Sequence, residues 1–291
     1  MKQIKVGTCI PGTKAMDWIP HMLDIGCETV GINFHMSLGG VDLKELAPKV
    51  VGLVDGRAEV GNLGFYCNAI ENEDHLKTLH EVIDMASAFK TGVVSTFAGG
   101  YSGKSVEDAM PKFKEVFSEL AKHAEDRGVK LAIENCPMGG TWNNITCNIG
   151  FNPAAWEMMF NEVNSPALGL EWEPAHQMAQ LIDPIANLRQ WADKIVHIHG
   201  KDATVDWDAV KRYGVIGQKP FAYMRMPGFG DVNWRDVFFI LHQHGYEGDV
   251  CIEGYHDPIY SGDWEMTAQK HAVNYLKWAR GGDFTPNPWD K

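Results

Sequence analysis

Short runs of β-branched and apolar residues recur along the chain, and between them apolar residues return every three or four positions. The short runs predict strands over residues 4–10, 29–34, 64–69, 92–97, 130–135, 167–172, 195–199 and 249–253. The intervening stretches predict amphipathic helices. In 73–90, Leu76, Leu79, Val82, Ile83 and Ala86 share one face; in 106–127, Met110, Phe113, Phe117, Leu120 and Ala124 do the same. Gly92 and Gly128 follow these segments as stop signals, and a last helix over 264–280 ends at Gly281 and Gly282. Strands alternating with helices of this length imply parallel βαβ units. Eight units without a linker favour closure into a single (β/α)8 TIM barrel, with residues 1–291 as one domain. No GxGxxG follows the first predicted strand, which argues against an open dinucleotide-binding sheet. One stretch departs from the alternation: residues 203–229, a long insertion after the seventh strand. A segment this long inside a barrel is functional or carries local structure. It contains Trp207, Tyr213, Phe221, Tyr223 and Arg225, and its aromatic residues are expected to cap the site.

Charge narrows the function. The 291 residues include 38 acidic and 26 basic ones, a formal net charge of -12, which sets nucleic-acid and anionic-membrane partners aside. The opening MKQIKVGTCIPG lacks the apolar run of a secretory signal, and no stretch approaches the roughly 20 apolar residues of a membrane span. Cys9, Cys27, Cys67, Cys136, Cys147 and Cys251 form no CxxC pair and are read as reduced structural residues of a cytoplasmic protein.

Chemistry in such a barrel gathers at the C-terminal strand ends. The fifth predicted strand ends at Glu134. The sixth runs into Glu171, Glu173 and His176, the seventh into His197, His199, Lys201 and Asp202, and the eighth into Glu253 and His256. Glu134 and Glu253 follow apolar strand residues, where an unpaired carboxylate costs several kcal/mol. Three glutamates converging with a histidine would repel one another unless a cation sat among them. Oxygen ligands with one imidazole suit Mn²⁺, with Mg²⁺ or Co²⁺ as alternatives, better than a thiolate-type zinc site. His197 and His199 are taken to face different sides of their strand. His199, nearer the end, is chosen as ligand, and His197 is turned toward the helices or a deeper layer. Trp142, Trp172 and Trp207 suit stacking on a sugar face or packing of rim loops. Asn68 and His35, after the third and second strands, are supporting polar candidates.

At these residues the chain resembles the xylose-isomerase-like barrel superfamily of sugar isomerases and epimerases. It looks closest to the branch of ketose 3-epimerases, inosose-processing enzymes and hydroxypyruvate isomerases. The stretches that carry the likeness are IEN (133–135), GLEWEPAH (169–176), HIHGKD (197–202), RMPGFGDVNW (225–234) and IEGYHD (252–257). The resemblance implies metal ligation by Glu134, Glu173, His199 and Glu253, and substrate contact by His176 and Arg225. It departs in one ligand: the family's usual aspartate of D-P-x-H is Glu173 here. The implied activity is a divalent-metal-dependent isomerase or epimerase acting on a small ketose through a metal-held enediolate. Glu134 and Glu253 serve as acid and base, while Lys201, Asp202, Arg225, His256 and Asn68 join His176 around the substrate. The alternative is a lyase or dehydratase using the same metal and proton abstraction. A DNA-repair endonuclease of the same barrel ranks lower on charge, and a non-catalytic sugar-binding barrel ranks lower because binding alone does not require two flanking carboxylates. No phosphate-cradling glycine motif is evident, which favours a free sugar, although Gly99-Gly100 and Gly139-Gly140 sit in rim loops. A homo-oligomer is compatible with the exposed helices.

Overall fold

A computed structural model describes residues 2–289. Eight parallel strands close a barrel: β1 (Lys5–Pro11), β2 (Thr29–His35), β3 (Glu59–Tyr66), β4 (Val93–Thr96), β5 (Lys130–Glu134), β6 (Leu168–Trp172), β7 (Ile195–Gly200) and, after two strands outside the barrel, β10 (Asp249–Ile252). Around it run α1 (Ala15–Asp24), α2 (Leu43–Val54), α3 (Glu73–Met85), α4 (Val106–Arg127), α5 (Pro153–Glu162), α6 (Pro174–Met178), α7 (Pro184–Trp191), α9 (Trp234–Gln243) and α10 (Glu265–Ala279). The helices begin where the sequence supplies acceptors for their free amides. Asp42, Asn72, Asn152, Asp183 and Asn233 each cap one, and Ser105 with Asp108 forms a capping box on α4. Gly128 ends α4 at φ 67°, a left-handed turn that glycine adopts without strain.

Two expectations change. The third strand spans Glu59–Tyr66 rather than 64–69. Its first half is Glu, Val, Gly and Asn, a poor strand signature, and the register against β2 slips between Val30 and Gly31. The long segment after β7 carries local structure, as its length led us to expect, but not the expected cap. It folds as β8 (Asp202–Val205) and β9 (Ala222–Arg225), an antiparallel pair enclosing α8 (Trp207–Tyr213). From β8 through β9 only Met224 lines the barrel mouth, whereas Trp207 is 54% exposed, so the expected aromatic cap is absent there.

Helices pack apolar faces on the outer side of the strands, with Trp156, Trp234, Phe113, Phe117 and Phe238 fully buried. The inner side is polar. Asn62 Nδ2 donates to Asn33 Oδ1 (3.1 Å) and Ser95 Oγ (2.8 Å), and Ser95 donates to Glu171 Oε1 (2.6 Å). His197 lies between Glu171 (2.7 Å) and Asp249 (3.1 Å), and the Thr29 hydroxyl donates to Asp249. Glycines leave room for this layer: a Cβ on Gly31 would stand 2.3 Å from Asn62 Oδ1, and one on Gly64 2.4 Å from Asn33 Oδ1.

At the opposite end of the barrel, Arg280 ties the last turn of the chain to the first strands. It donates to the Ile4 carbonyl (2.8 Å) and to both oxygens of Glu28 (2.6 and 3.1 Å), which also accepts the Val6 amide. Burial works against the charge on Glu28, but Arg280, the Val6 amide and Lys277 hold its carboxyl below the usual range. Because the folded value is depressed, this stabilisation is full above the ordinary carboxylate value and is lost as pH falls through the depressed one. Glu28→Gln should lower unfolding stability by about 2–3 kcal/mol at neutral pH. In denaturant titrations the variant should also lose less stability than wild type on acidification.

Candidate metal centre and active site

The C-terminal ends of the strands open into a cavity of about 720 Å³. Glu134, His199, Lys201 and Glu253 form its floor, and Tyr66, Phe97, His35 and Met224 rise around them. Glu173 lies just beneath, with no exposed surface. His199 organises the floor. Its Nδ1 is 3.1 Å from Glu134 Oε1, 3.4 Å from Glu253 Oε2 and 3.6 Å from Glu173 Oε2, and its Nε2 is 3.1 Å from the Tyr66 hydroxyl and 3.3 Å from Glu171 Oε1. Ligand atoms from Glu134, Glu173, His199 and Glu253 all lie within 4.8 Å of one another.

The floor is electrostatically divided. Burial pushes the Glu134 carboxyl up to about 7 and that of Glu173 up to about 8. Glu253 is half-buried, yet Lys201 at 2.8 Å and His199 hold it well below the usual range against desolvation. Burial, with Lys201 nearby, drives His176 down to about 3, so this imidazole is neutral at physiological pH. Glu173 carries the sharpest signal. Both its carboxylate oxygens are buried without a hydrogen-bond partner, although His176 Nε2 lies 3.1 Å and Lys201 Nζ 3.5 Å from Oε1, close but outside hydrogen-bonding geometry. Such a carboxyl is acceptor-only once ionised, and a cation bound to both oxygens would favour that form. Ligands about 2.1 Å from a common octahedral ion sit about 3 Å apart, comparable to the His199 contacts. The residues present therefore fit a divalent metal, with Nδ1 of His199 as the nitrogen ligand.

The structure brings Glu134, Glu173, His176, His199, Lys201, Glu253 and His256 to one place; His256 is exposed at the mouth, 3.9 Å from Glu253. Lys201 is engaged by the two acids rather than free. Three proposed substrate contacts lie elsewhere. Asp202 is fully buried, and its carboxylate accepts from the amides of Ala203 (2.8 Å), Val232 (2.9 Å) and Gly228 (3.2 Å) and from Trp234 Nε1 (3.3 Å), so it pins the β8–β9 excursion to the barrel. Arg225 pairs through Nε with Asp257 at 2.9 Å, and the cavity is lined instead by its neighbour Met224. The Asn68 side chain bonds both the amide (3.0 Å) and the carbonyl (2.8 Å) of Gly100, joining two rim loops.

His197 is also corrected. Side chains two apart in a strand share a face, so His197 and His199 both point inward. His197 occupies the layer below, where Asp249 and Glu171 outweigh burial and raise its imidazole to about 9. Trp172 is buried and donates to Asn187, and Trp142 donates to Glu107; neither they nor Trp207 line the cavity. Tyr66, Phe97, Cys9 and Tyr255 line it and were missed. The inward alternation of β1 and β3 continued to the rim leads to Cys9 and Tyr66, a weaker signal than the charged strand ends. Among the described residues no helix is long and apolar enough to cross a membrane.

A closed parallel barrel with an acidic, histidine-centred cluster at its C-terminal mouth defines an α/β barrel with a candidate metal centre. The chain belongs to the xylose isomerase-like TIM barrel family, whose model matches residues 23–278. Among curated relatives it is similar to the inosose dehydratase of Clostridium tetani, 32% identical over 106 residues that cover 33% of this chain and 34% of that protein. It is also similar to the uncharacterized protein YfiH of Bacillus subtilis, 28% identical over 155 residues covering 50% and 45%. These matches span half or less of the relatives' own length. Among solved structures it shares its fold with a xylose isomerase domain protein from Planctomyces limnophilus (TM-score 0.72, 19% identity, 96% of each chain). It likewise shares the fold of an L-ribulose 3-epimerase (TM-score 0.68, 15% identity, 96% and 95%).

Asp202→Ala should cost about 3–5 kcal/mol in chemical unfolding, because buried donors lose their acceptor, and Asp202→Asn should cost less. If Asp202 instead served the substrate, the asparagine variant would unfold like wild type and lose only ligand affinity.

Proposed function

We propose that this chain is a divalent-metal-dependent enzyme that moves a proton at the carbon beside the carbonyl of a keto-sugar, as an isomerase or epimerase. One observation carries the reading: Glu134, Glu173, His199 and Glu253 converge at the cavity floor, with both oxygens of Glu173 left without a partner. Those four residues would hold the ion, Mn²⁺ for preference on the oxygen-rich donor set with Mg²⁺ or Co²⁺ as alternatives. When bound, such an ion supplies Lewis-acid polarisation of a carbonyl.

The protein's own groups do the rest. Glu134 and Glu253 reach the floor from strands separated by β6 and β7, so a ketose lying over His199 meets a carboxylate on either side. One removes the proton from the carbon next to the carbonyl. Return by the other to the opposite face gives an epimer, and return at the neighbouring carbon gives an aldose. Neutral His176 hydrogen-bonds a sugar oxygen, and Lys201 keeps Glu253 ionised as a base. Tyr66, Phe97 and His35 wall off bulk water, and His256 meets the substrate at the entrance. Glu171 fixes the ring of His199 from behind, so that Nδ1 faces the floor.

Elimination of water after the same proton abstraction is the second reading, favoured by similarity to a protein named inosose dehydratase. NMR of products from a keto-sugar panel in deuterated water separates the two: deuterium in an epimer or isomer against an unsaturated product.

Calorimetric titration of chelator-treated protein with Mn²⁺ should show one site, weakened at least about 10-fold in Glu173→Gln. No affinity for any divalent ion in wild type would remove the proposal. Glu134→Gln should slow exchange of the substrate C–H proton with solvent deuterium by about 10²–10⁴-fold, the usual worth of a general base. Undiminished exchange would take Glu134 out of that role.

A further inference from the structure

Away from the cavity, α3 and α4 meet along two polar rungs. His80 and Asp84 stand four residues apart on α3, and Glu119 and His123 four apart on α4, so each pair shares one helix face. The two imidazoles meet edge to edge. His80 Nδ1 and His123 Nδ1 are 2.6 Å apart, with ring centres 4.8 Å apart and planes 28° from parallel. That contact takes up all of the separation beyond the two ring radii, so each Nδ1 points in its ring plane at the other. The far nitrogens face acids. His123 Nε2 lies 2.9 Å from Asp84 Oδ1, which Arg127 also holds at 2.7 Å, and His80 Nε2 lies 3.9 Å from Glu119 Oε1. Both rings keep some exposure, 27% for His80 and 20% for His123, and neither lines the cavity.

The proton count leaves this arrangement short of one positive charge. His123 donates from Nε2 to Asp84, so its Nδ1 is a bare acceptor. His80 must then donate from Nδ1, which leaves its own Nε2 bare and facing the Glu119 carboxylate, acceptor against anion. A second proton on His80 would remove the mismatch, but burial and then the neighbouring His123 lower this imidazole from its ordinary value, so it is neutral at physiological pH. An ion between the rings removes the mismatch with no added proton. The His80 proton moves to Nε2 and turns to Glu119, both Nδ1 atoms bind the ion, and each ligating imidazole has a carboxylate behind it. We propose that His80 and His123 form a zinc-binding clip that ties α3 to α4, with water completing the tetrahedron. Nitrogen ligands of a tetrahedral zinc ion stand about 3.3 Å apart, so the rings part by about 0.7 Å, a small shift for two partly exposed side chains. Imidazole nitrogen suits Zn²⁺ better than Mn²⁺, the reverse of the oxygen-rich cavity floor.

The test compares His80→Gln and His123→Gln with wild type, each first checked for an unchanged thermal unfolding curve without metal. Calorimetric titration of the chelator-treated proteins with Zn²⁺ should show one more binding event in wild type than in either variant, in the micromolar range, whatever the cavity holds. Mn²⁺ should bind all three proteins alike. Asp84→Asn keeps both ligands but weakens the anchor behind His123, and should lower the affinity of the extra event about 10-fold. Crystals of wild type soaked in Zn²⁺ and measured at the zinc absorption edge should give an anomalous peak between the two Nδ1 atoms. That peak decides the matter where a variant's metal-free unfolding curve has shifted. Equal zinc stoichiometry in all three proteins, with no peak between the rings, overturns the clip and leaves the pair as a hydrogen bond between helices. The cavity reading is untouched by either result, because it stands on the Mn²⁺ titration of Glu173→Gln.

Discussion

Charges pointing into the barrel are the constraint on which the rest of this structure depends. A barrel interior is ordinarily filled by branched apolar side chains. Here Glu134, Glu171, Glu173 and Asp249 are buried facing inward, with half-buried Glu253 beside them, and burying so many carboxylates alone would not be tolerated. The chain answers with cations threaded between them. His197 stands between Glu171 and Asp249, His199 between Glu171 and the three upper acids, and Lys201 between Glu173 and Glu253. All three come from β7 and its first residue beyond, so one strand carries the positive charge for its neighbours. Glu171 keeps one buried oxygen without a hydrogen-bond partner, whereas Glu173 has both in that state, and there a metal fits.

The two layers of this polar interior do different work. The lower one, from Asn33 and Asn62 through Ser95 to Glu171, is hydrogen-bonded along its length and needs glycines beside it to fit. It gives Glu171 a fixed place, and Glu171 in turn sets the ring of His199. The upper layer is less satisfied and opens to the cavity. Stability below and reactivity above follow from how many partners each carboxylate has.

Much of this was legible in the sequence. Seven of the eight strands announce themselves by short apolar or β-branched runs. The fold rule that chemistry gathers at their C-terminal ends points to the charged residues from Glu134 to His256, and the family resemblance implies Glu134, Glu173, His199 and Glu253 among them as ligands. The third strand starts five residues before its expected start because its first half, Glu59 to Asn62, lacks a strand signature; Asn62 and Gly64 face inward, where space matters more than strand preference. Asp202, Arg225 and Asn68 sit at the expected height, but position along a strand does not say whether a polar side chain serves the cavity or the loops beside it. Four hydrogen bonds claim Asp202, and nothing local distinguishes it from a ligand. For His197 the strand parity is corrected, while the deeper layer it occupies is one of the two places expected for it.

The Arg280–Glu28 pair joins residues 252 positions apart. A chain emerging from the ribosome cannot form it until nearly the whole barrel has been made, and until then β1 lacks its β10 partner and presents an open edge. Such late, long-range closure slows folding and exposes unpaired strand to neighbours. The clamp is thus the last stitch of the cylinder, and its loss shows mainly as faster opening of the finished barrel.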